Sequence, residues 1–183
     1  LGDDTLVSDG GADILIGGEG DDILSIPDVD FSGTRRIVGG NGFDTLRLDT
    51  SGATLDLTAI ADNRILGIEA IDITGLSPNT LIVNLLEVLN LSDESNTLTV
   101  FGDGDDAIKL GFGWTDAGTT TIDSELFRVF TQGAATVQFD ADITLLPTLV
   151  QDLSDLDGTN GYIFEGIDGD DNSGYSVSSA GDV

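Results

Sequence analysis

The sequence predicts an all-β protein, a right-handed parallel β-roll or β-solenoid with widened coils and an antiparallel hairpin cap. Three observations predict it: a nine-residue repeat over residues 1–47, short strands in evenly spaced pairs over residues 45–110, and hairpin-like spacing from 119 onward. Gly2, Gly11 and Gly20 recur at nine-residue steps, as do Asp4, Asp13 and Asp22, and Leu6, Leu15 and Leu24. Full copies read GGEGDDILS (17–25) and GGNGFDTLR (39–47). SDGGADILI (8–16) and FGDGDDAIK (101–109) approximate the unit, and the opening LGDDTLV is the tail of another.

Each unit has a physical reading. Glycines permit positive φ and close backbone approach, so a six-residue loop reverses the chain with its carbonyls turned inward, and the final Asp adds a carboxylate. Each loop is half of an oxygen cage. A short strand with an inward Leu or Ile follows, and two loops with two strands close one coil in about 18 residues. Loops two units apart then stack, those ending in Asp4, Asp22 and Asp44 on one side and the one ending in Asp13 on the other. On the second side the next connection, IPDVDFSGT (26–34), lacks the paired glycines and offers Asp28 and Asp30. The candidate cation-binding residues are Gly2, Asp4, Asp13, Gly17, Gly18, Gly20, Asp22, Gly39, Gly40, Gly42 and Asp44, with Gly104 and Asp106 from the degenerate copy, where Phe101 takes the first glycine slot. The best cages are expected between the Asp4 and Asp22 loops and between the Asp22 and Asp44 loops. Plain Gly-Asp turns are the alternative, but three properties recurring in one register argue against it.

Beyond residue 47 the coil is expected to widen. Strands TLRL (45–48), TLDL (54–57), AIDI (70–73), TLIV (80–83), TLTV (97–100) and AIKL (107–110) come in pairs; first members start 25 and 27 residues apart, second members 26 and 27. That is a solenoid period. Inserted length falls on one edge, in 58–69 and 84–96, and Leu85, Val88 and Leu89 have helical spacing. Leu46, Leu48, Leu55, Leu57, Ile71, Ile73, Leu81, Val83, Leu98, Val100, Ile108 and Leu110 form the predicted inward ladder. TTTID, LFRVFT and ATVQFD, with Gly133 between the last two, read as antiparallel hairpins capping the open end. Phe112, Trp114, Phe127 and Phe130 are its expected aromatic packing. The resulting divisions are 1–47, 48–118, 119–146 and 147–183.

Composition points to a cation. The 183 residues hold 6 Lys+Arg against 34 Asp+Glu, for a formal charge of -28, yet 39% are hydrophobic, too many for a disordered acidic tail. Such an excess of one sign repels nucleic acid and anionic lipid and opposes compaction unless cations neutralise it. With no His and no Cys, a Ser-His-Asp triad, a Cys nucleophile and ordinary zinc or copper sites are excluded, so any metal is hard and held by oxygen. No apolar run reaches the length of a membrane span. Opening on Leu and without a signal peptide, the chain is expected to be a fragment or processed piece.

The nonapeptide G-G-x-G-x-D-x-U-x of residues 17–25 and 39–47 resembles the hemolysin-type calcium-binding repeat of the RTX family of secreted bacterial proteins. The resemblance implies Ca2+ as the ligand, type I secretion, and folding outside the cell at millimolar calcium. Extracellular calcium modules bind at roughly 0.1–1 mM, and a site tenfold saturated adds about 1.4 kcal/mol to folding. GYSVSSAGDV (174–183) resembles the entry to an FG-GAP propeller repeat, with Asp182 as its first calcium ligand. The expected function is a calcium-binding structural or adhesive module, extracellular or at the cell surface, and not an enzyme. Its expected partners are calcium ions, neighbouring domains of the parent chain, surface glycans or further copies of itself. An accessory segment of a secreted protease or lipase is the alternative that the family implies. Asp21–Asp22 and Asp105–Asp106 could in principle act as acid and base, but cation ligation explains adjacent carboxylates in glycine loops. Glycan stacking on Trp114 and ice binding by outward Thr97 and Thr99 rank lower, because other outward sites carry Arg47, Asp56, Asp72, Ile82 and Lys109.

Overall fold

Alternating apolar positions form strands in the computed structural model, which describes residues 2–31, 35–75, 77–92 and 95–148. In chain order the first strands are β1 (Thr5–Val7), β2 (Ile14–Glu19), β3 (Ile23–Ile26), β4 (Arg36–Asn41) and β5 (Thr45–Leu48). Next come β6 (Thr54–Asp56), a 3-10 turn (Leu57–Ala59), β7 (Ile65–Leu66), β8 (Ala70–Asp72), β9 (Thr80–Val83) and the helix α1 (Leu85–Leu91). Last are β10 (Thr97–Phe101), β11 (Ala107–Leu110), β12 (Thr115–Ile122), β13 (Glu125–Gln132), β14 (Ala135–Asp140) and β15 (Thr144–Leu145). Among the described residues the fold is thus β-rich with one helix. No helix among them is long and apolar enough to cross a membrane.

Three sheets result. The long one runs β1-β3-β5-β8-β10-β14-β13-β12, the second β6-β9-β11-β15, and the third β2-β4-β7. All pairings are parallel except those of β12 with β13 and β13 with β14. From β1 to β5 the chain alternates between the long and the three-stranded sheets. From β5 onward it also visits the four-stranded sheet before returning to the long one. The inserted segments therefore supply a third face: 58–69 carries β7, paired with β4, and 84–96 carries α1. Asn84 caps α1 by accepting from the N–H groups of Leu86 and Glu87. The helix then closes on the preceding turn, where Ile68 N–H donates to the Leu91 carbonyl at 2.9 Å.

Parallel strands buried between faces must present aligned apolar rows, and the predicted inward residues are all buried in a single apolar cluster. Thr54↔Thr80 and Thr80↔Ala107 keep the predicted spacing in the four-stranded sheet. In the long sheet Thr45↔Ala70 does so, but Ala70 pairs with Thr99 and not Thr97. A two-residue shift leaves the inward parity intact, because side chains alternate with period two.

Other expectations change. Thr99 shares the outward face with Thr97 but is covered by the neighbouring strand, where it accepts a hydrogen bond from Gln138 Nε2 at 2.9 Å, so the two do not form an exposed pair. The hairpin strands begin at Thr115, and Asp123, assigned by sequence to a strand, instead turns the chain with Ser124, both at positive φ. Two such residues match the twist of antiparallel strands. ATVQFD is a cap strand and a member of the parallel stack at once, since β14 pairs with both β13 and β10. Phe127 and Phe130 are buried and Trp114 packs at the edge of the cluster, whereas Phe112 is exposed. The FG-GAP-like segment, with Asp182, lies outside the described residues.

Candidate metal site

The paired glycines are dictated by the spacing between stacked turns. A Cβ on Gly40 would lie 2.1 Å from the Gly18 carbonyl oxygen, and one on Gly42 2.2 Å from that of Gly20. A Cβ on Gly20 would in turn fall 2.7 Å from the Gly2 carbonyl oxygen. Two glycine columns thus run through successive turns. Gly18, Gly20, Gly40 and Gly42 all have positive φ. Gly17–Gly18 and Gly39–Gly40, expected in loops, lie at the ends of β2 and β4 and keep parallel pairing, Gly18 with Gly40. Without side chains the backbones come close enough to extend the strands into the turn.

A carboxylate line runs beside the glycines. Asp4 N–H donates to Asp22 Oδ1 (2.7 Å), Asp22 N–H to Asp44 Oδ1 (2.8 Å), and Asp44 N–H to Glu69 Oε2 (2.9 Å). Asp22, Asp44 and Glu69 are buried, while Asp4 is exposed and joins through its backbone. A parallel outer line links Asp21 N–H to Asp3 Oδ1 and Phe43 N–H to Asp21 Oδ1. Glu69 escaped the sequence reading because RILGIE lacks the repeat's final Asp. Its signal was Gly67, whose carbonyl oxygen would lie 1.9 Å from a Cβ on Gly39. Burial first, and the Asp44 charge in addition, raise the Glu69 carboxyl above the usual range.

One observation bears on whether a hard cation fits these residues. Asp22 Oδ2 is buried and has no hydrogen-bond partner among the described residues. It lies against Gly17, where a Cβ would meet it at 2.2 Å and the Gly39 carbonyl oxygen at 2.7 Å. A buried, half-satisfied carboxylate is costly, and a carboxylate beside turned-in carbonyls is the donor set of calcium. Among the described residues no three acidic side chains converge as a metal-binding group. Main-chain carbonyls would therefore have to supply most ligands, with one carboxylate from each turn.

The second side is built differently. Asp13 is held by Ser8, whose hydroxyl donates to Oδ2 at 2.7 Å. Asp28 is engaged by Arg35, which is wholly buried: Nη1 donates to Oδ1 (2.6 Å) and to the Asp28 carbonyl (3.0 Å), and Nη2 to Oδ2 (3.1 Å). A guanidinium thus sits where the glycines are missing, and its hydrogen bonds hold the Asp28 carboxyl below the usual range. Asp106 is also remote from the Asp22 line. Its oxygens accept from Asn79 N–H (2.8 Å) and Asp103 N–H (2.9 Å), and burial raises its pKa, with Asp103 and Asp105 adding to the effect. Gly104 is exposed with open space around it. The structure therefore brings together Gly2, Asp4, Gly17, Gly18, Gly20, Asp22, Gly39, Gly40, Gly42 and Asp44, and leaves Asp13, Gly104 and Asp106 elsewhere. No family model, curated protein or solved structure matches this chain, so its chemistry is read from its own residues.

Proposed function

We propose that the chain is a calcium-binding structural or adhesive module of a large secreted or cell-surface bacterial protein, wound as a right-handed parallel β-solenoid that completes its folding when calcium enters the Asp22 line. The observation that carries this reading is the unpartnered Asp22 Oδ2, buried beside the Gly39 carbonyl within a stack of glycine turns. The formal charge of -28 supports it, because self-repulsion at that density opposes winding until it is neutralised. The ligands are oxygens only, which favours calcium over softer metals. Magnesium is a poor substitute, since it demands near-ideal octahedral geometry and sheds water reluctantly.

The test is far-ultraviolet circular dichroism of the full chain during calcium titration, with magnesium as control. A cooperative gain of β-structure is expected with calcium and not with magnesium. Asp22→Ala should move the midpoint to about tenfold higher calcium or abolish the transition, as loss of one site contributing about 1.4 kcal/mol requires. A chain fully and equally stable in chelator and in calcium would overturn the proposal.

A further inference from the structure

A cleft of about 410 Å3 opens between residues 29–31, in the connection after β3, and the stretch from β6 through the 3-10 turn to Arg64. Its volume falls within the range of small-molecule sites, roughly 300–1,000 Å3. Val29, Phe31 and Ile60 supply apolar wall, and Thr54, Asp56 and Arg64 supply the polar groups.

These walls are fixed before any ligand arrives. Phe31 is half-buried, and the guanidinium of the wholly buried Arg35 stacks 5.6 Å from its ring centroid, so one face of the ring is backed by a cation and its exposed part lies away from it. Arg64 Nη2 donates to the Phe31 carbonyl at 3.3 Å and its Nε to the Arg35 carbonyl, which ties the segment carrying Phe31 to the stretch before β7. Asp56 Oδ1 accepts from the N–H (3.1 Å) and the hydroxyl (2.6 Å) of Thr58. That orients the carboxylate and leaves its Oδ2 without a partner among the described residues; the Thr54 hydroxyl has none there either.

The lining selects by charge. Its charged side chains are Asp56 and Arg64, one of each sign, in a chain whose formal charge is -28. A lone carboxylate beside a guanidinium is a poor metal site. An anion would meet Asp56 and the field of the whole chain. An organic cation would meet Arg64 and would compete with Arg35 for the Phe31 ring. A neutral ligand with an apolar face and a rim of hydroxyls meets none of these costs. Its face lies on the aromatic ring, and its hydroxyls donate to Asp56 Oδ2 and exchange hydrogen bonds with Thr54. That is the chemistry of a neutral sugar ring.

We propose that this cleft binds a neutral saccharide, with Phe31 as the stacking platform and Asp56 and Thr54 as the hydroxyl partners. The site gives the adhesive side of the proposed function a ligand class; it rests on that side alone and contains no calcium ligand. Trp114, the aromatic that the sequence offered for glycan stacking, is not in its lining.

The test is saturation-transfer NMR on the full chain in excess calcium, with methyl glycosides of the common neutral hexoses as probes and sialic acid and choline as anionic and cationic controls. A neutral glycoside should bind and the controls should not. Phe31→Ala and Asp56→Asn should each weaken that binding about tenfold in titration, through loss of an aromatic platform or of a charged hydrogen bond, while Trp114→Ala leaves it unchanged. Asn keeps the oxygen that caps the turn, so if Phe31→Ala fails to fold, Asp56→Asn decides alone. Asp22→Ala kept folded by excess calcium should bind the glycoside as wild type does, so failure of the calcium transition and failure of this site are read separately. No neutral glycoside bound, choline bound in preference, or binding insensitive to both cleft variants would overturn the inference.

Discussion

Replacing Gly40 with alanine is expected to destabilise the protein on the order of 3–5 kcal/mol, combining overpacking against backbone with a φ that side chains rarely adopt. Its φ is +128°, and the added methyl would lie 2.1 Å from the Gly18 carbonyl oxygen, an atom fixed by the pairing of Gly18 with Gly40. Neither strand can yield without losing that pairing. Gly52→Ala is the matched control. Gly52 also has positive φ, +69°, but nothing lies within 4 Å of its added Cβ, so a loss of about 1 kcal/mol is expected from the left-handed backbone alone. Thermal unfolding of both variants in excess calcium measures the difference; equal losses would mean that the turns are not stacked at this spacing.

Arg35→Met is expected to cost about 3 kcal/mol, the lower end for breaking a buried ion pair, because the Asp28 side chain is 42% exposed and water screens what remains. The double variant Arg35→Met/Asp28→Asn should recover only a small part of the loss, since the carboxylate left behind is 42% exposed and rehydrates, and the rest is the lost packing and hydrogen bonds of the buried guanidinium. The loss should be the same at every calcium concentration that keeps the protein folded, which separates this pair from the Asp22 line. Its pH dependence has a definite sign. The folded pKa of Asp28 is lowered, so the pair stabilises above the unfolded value near 4 and that contribution disappears as pH falls through the folded value. Wild type and Arg35→Met should therefore draw closer in stability in strong acid, and a constant gap down to acid pH would show that the ion pair is no part of what Arg35 contributes.

How much was legible follows from how each feature is encoded. Alternation wrote the inward rows directly, because burial between faces demands an apolar residue at every second position. The nine-residue register likewise exposed the Asp4 and Asp22 turns, and the second full copy of the unit, GGNGFDTLR, exposed that of Asp44. Glu69 was hidden because a longer side chain reaches the same hydrogen bond from a different local sequence, leaving only Gly67 as a trace. The third face was hidden because a two-residue strand, β7, and a seven-residue helix, α1, share a place in the chain order without sharing a pattern. Arg35 was overlooked for a related reason: an internal cation is visible only once its carboxylate is placed beside it. The slip of β10 against β8 could not be read at all, since registers differing by two residues bury the same side chains.

The pairing pattern also favours one starting point for refolding. Parallel partners in the long sheet lie 18, 22 and 25 residues apart in its early turns and 39 apart at its end. Strands β12, β13 and β14 instead meet across two-residue bends at Asp123–Ser124 and Gly133–Ala134. Loop-closure entropy grows with separation and local hairpins form in microseconds, so the antiparallel meander is the natural nucleus and the parallel turns add to it one after another. Pulsed isotope labelling during refolding should find residues 115–140 shielded first and the Asp4 turn last; the reverse order would mean that ion capture seeds the chain from its other end.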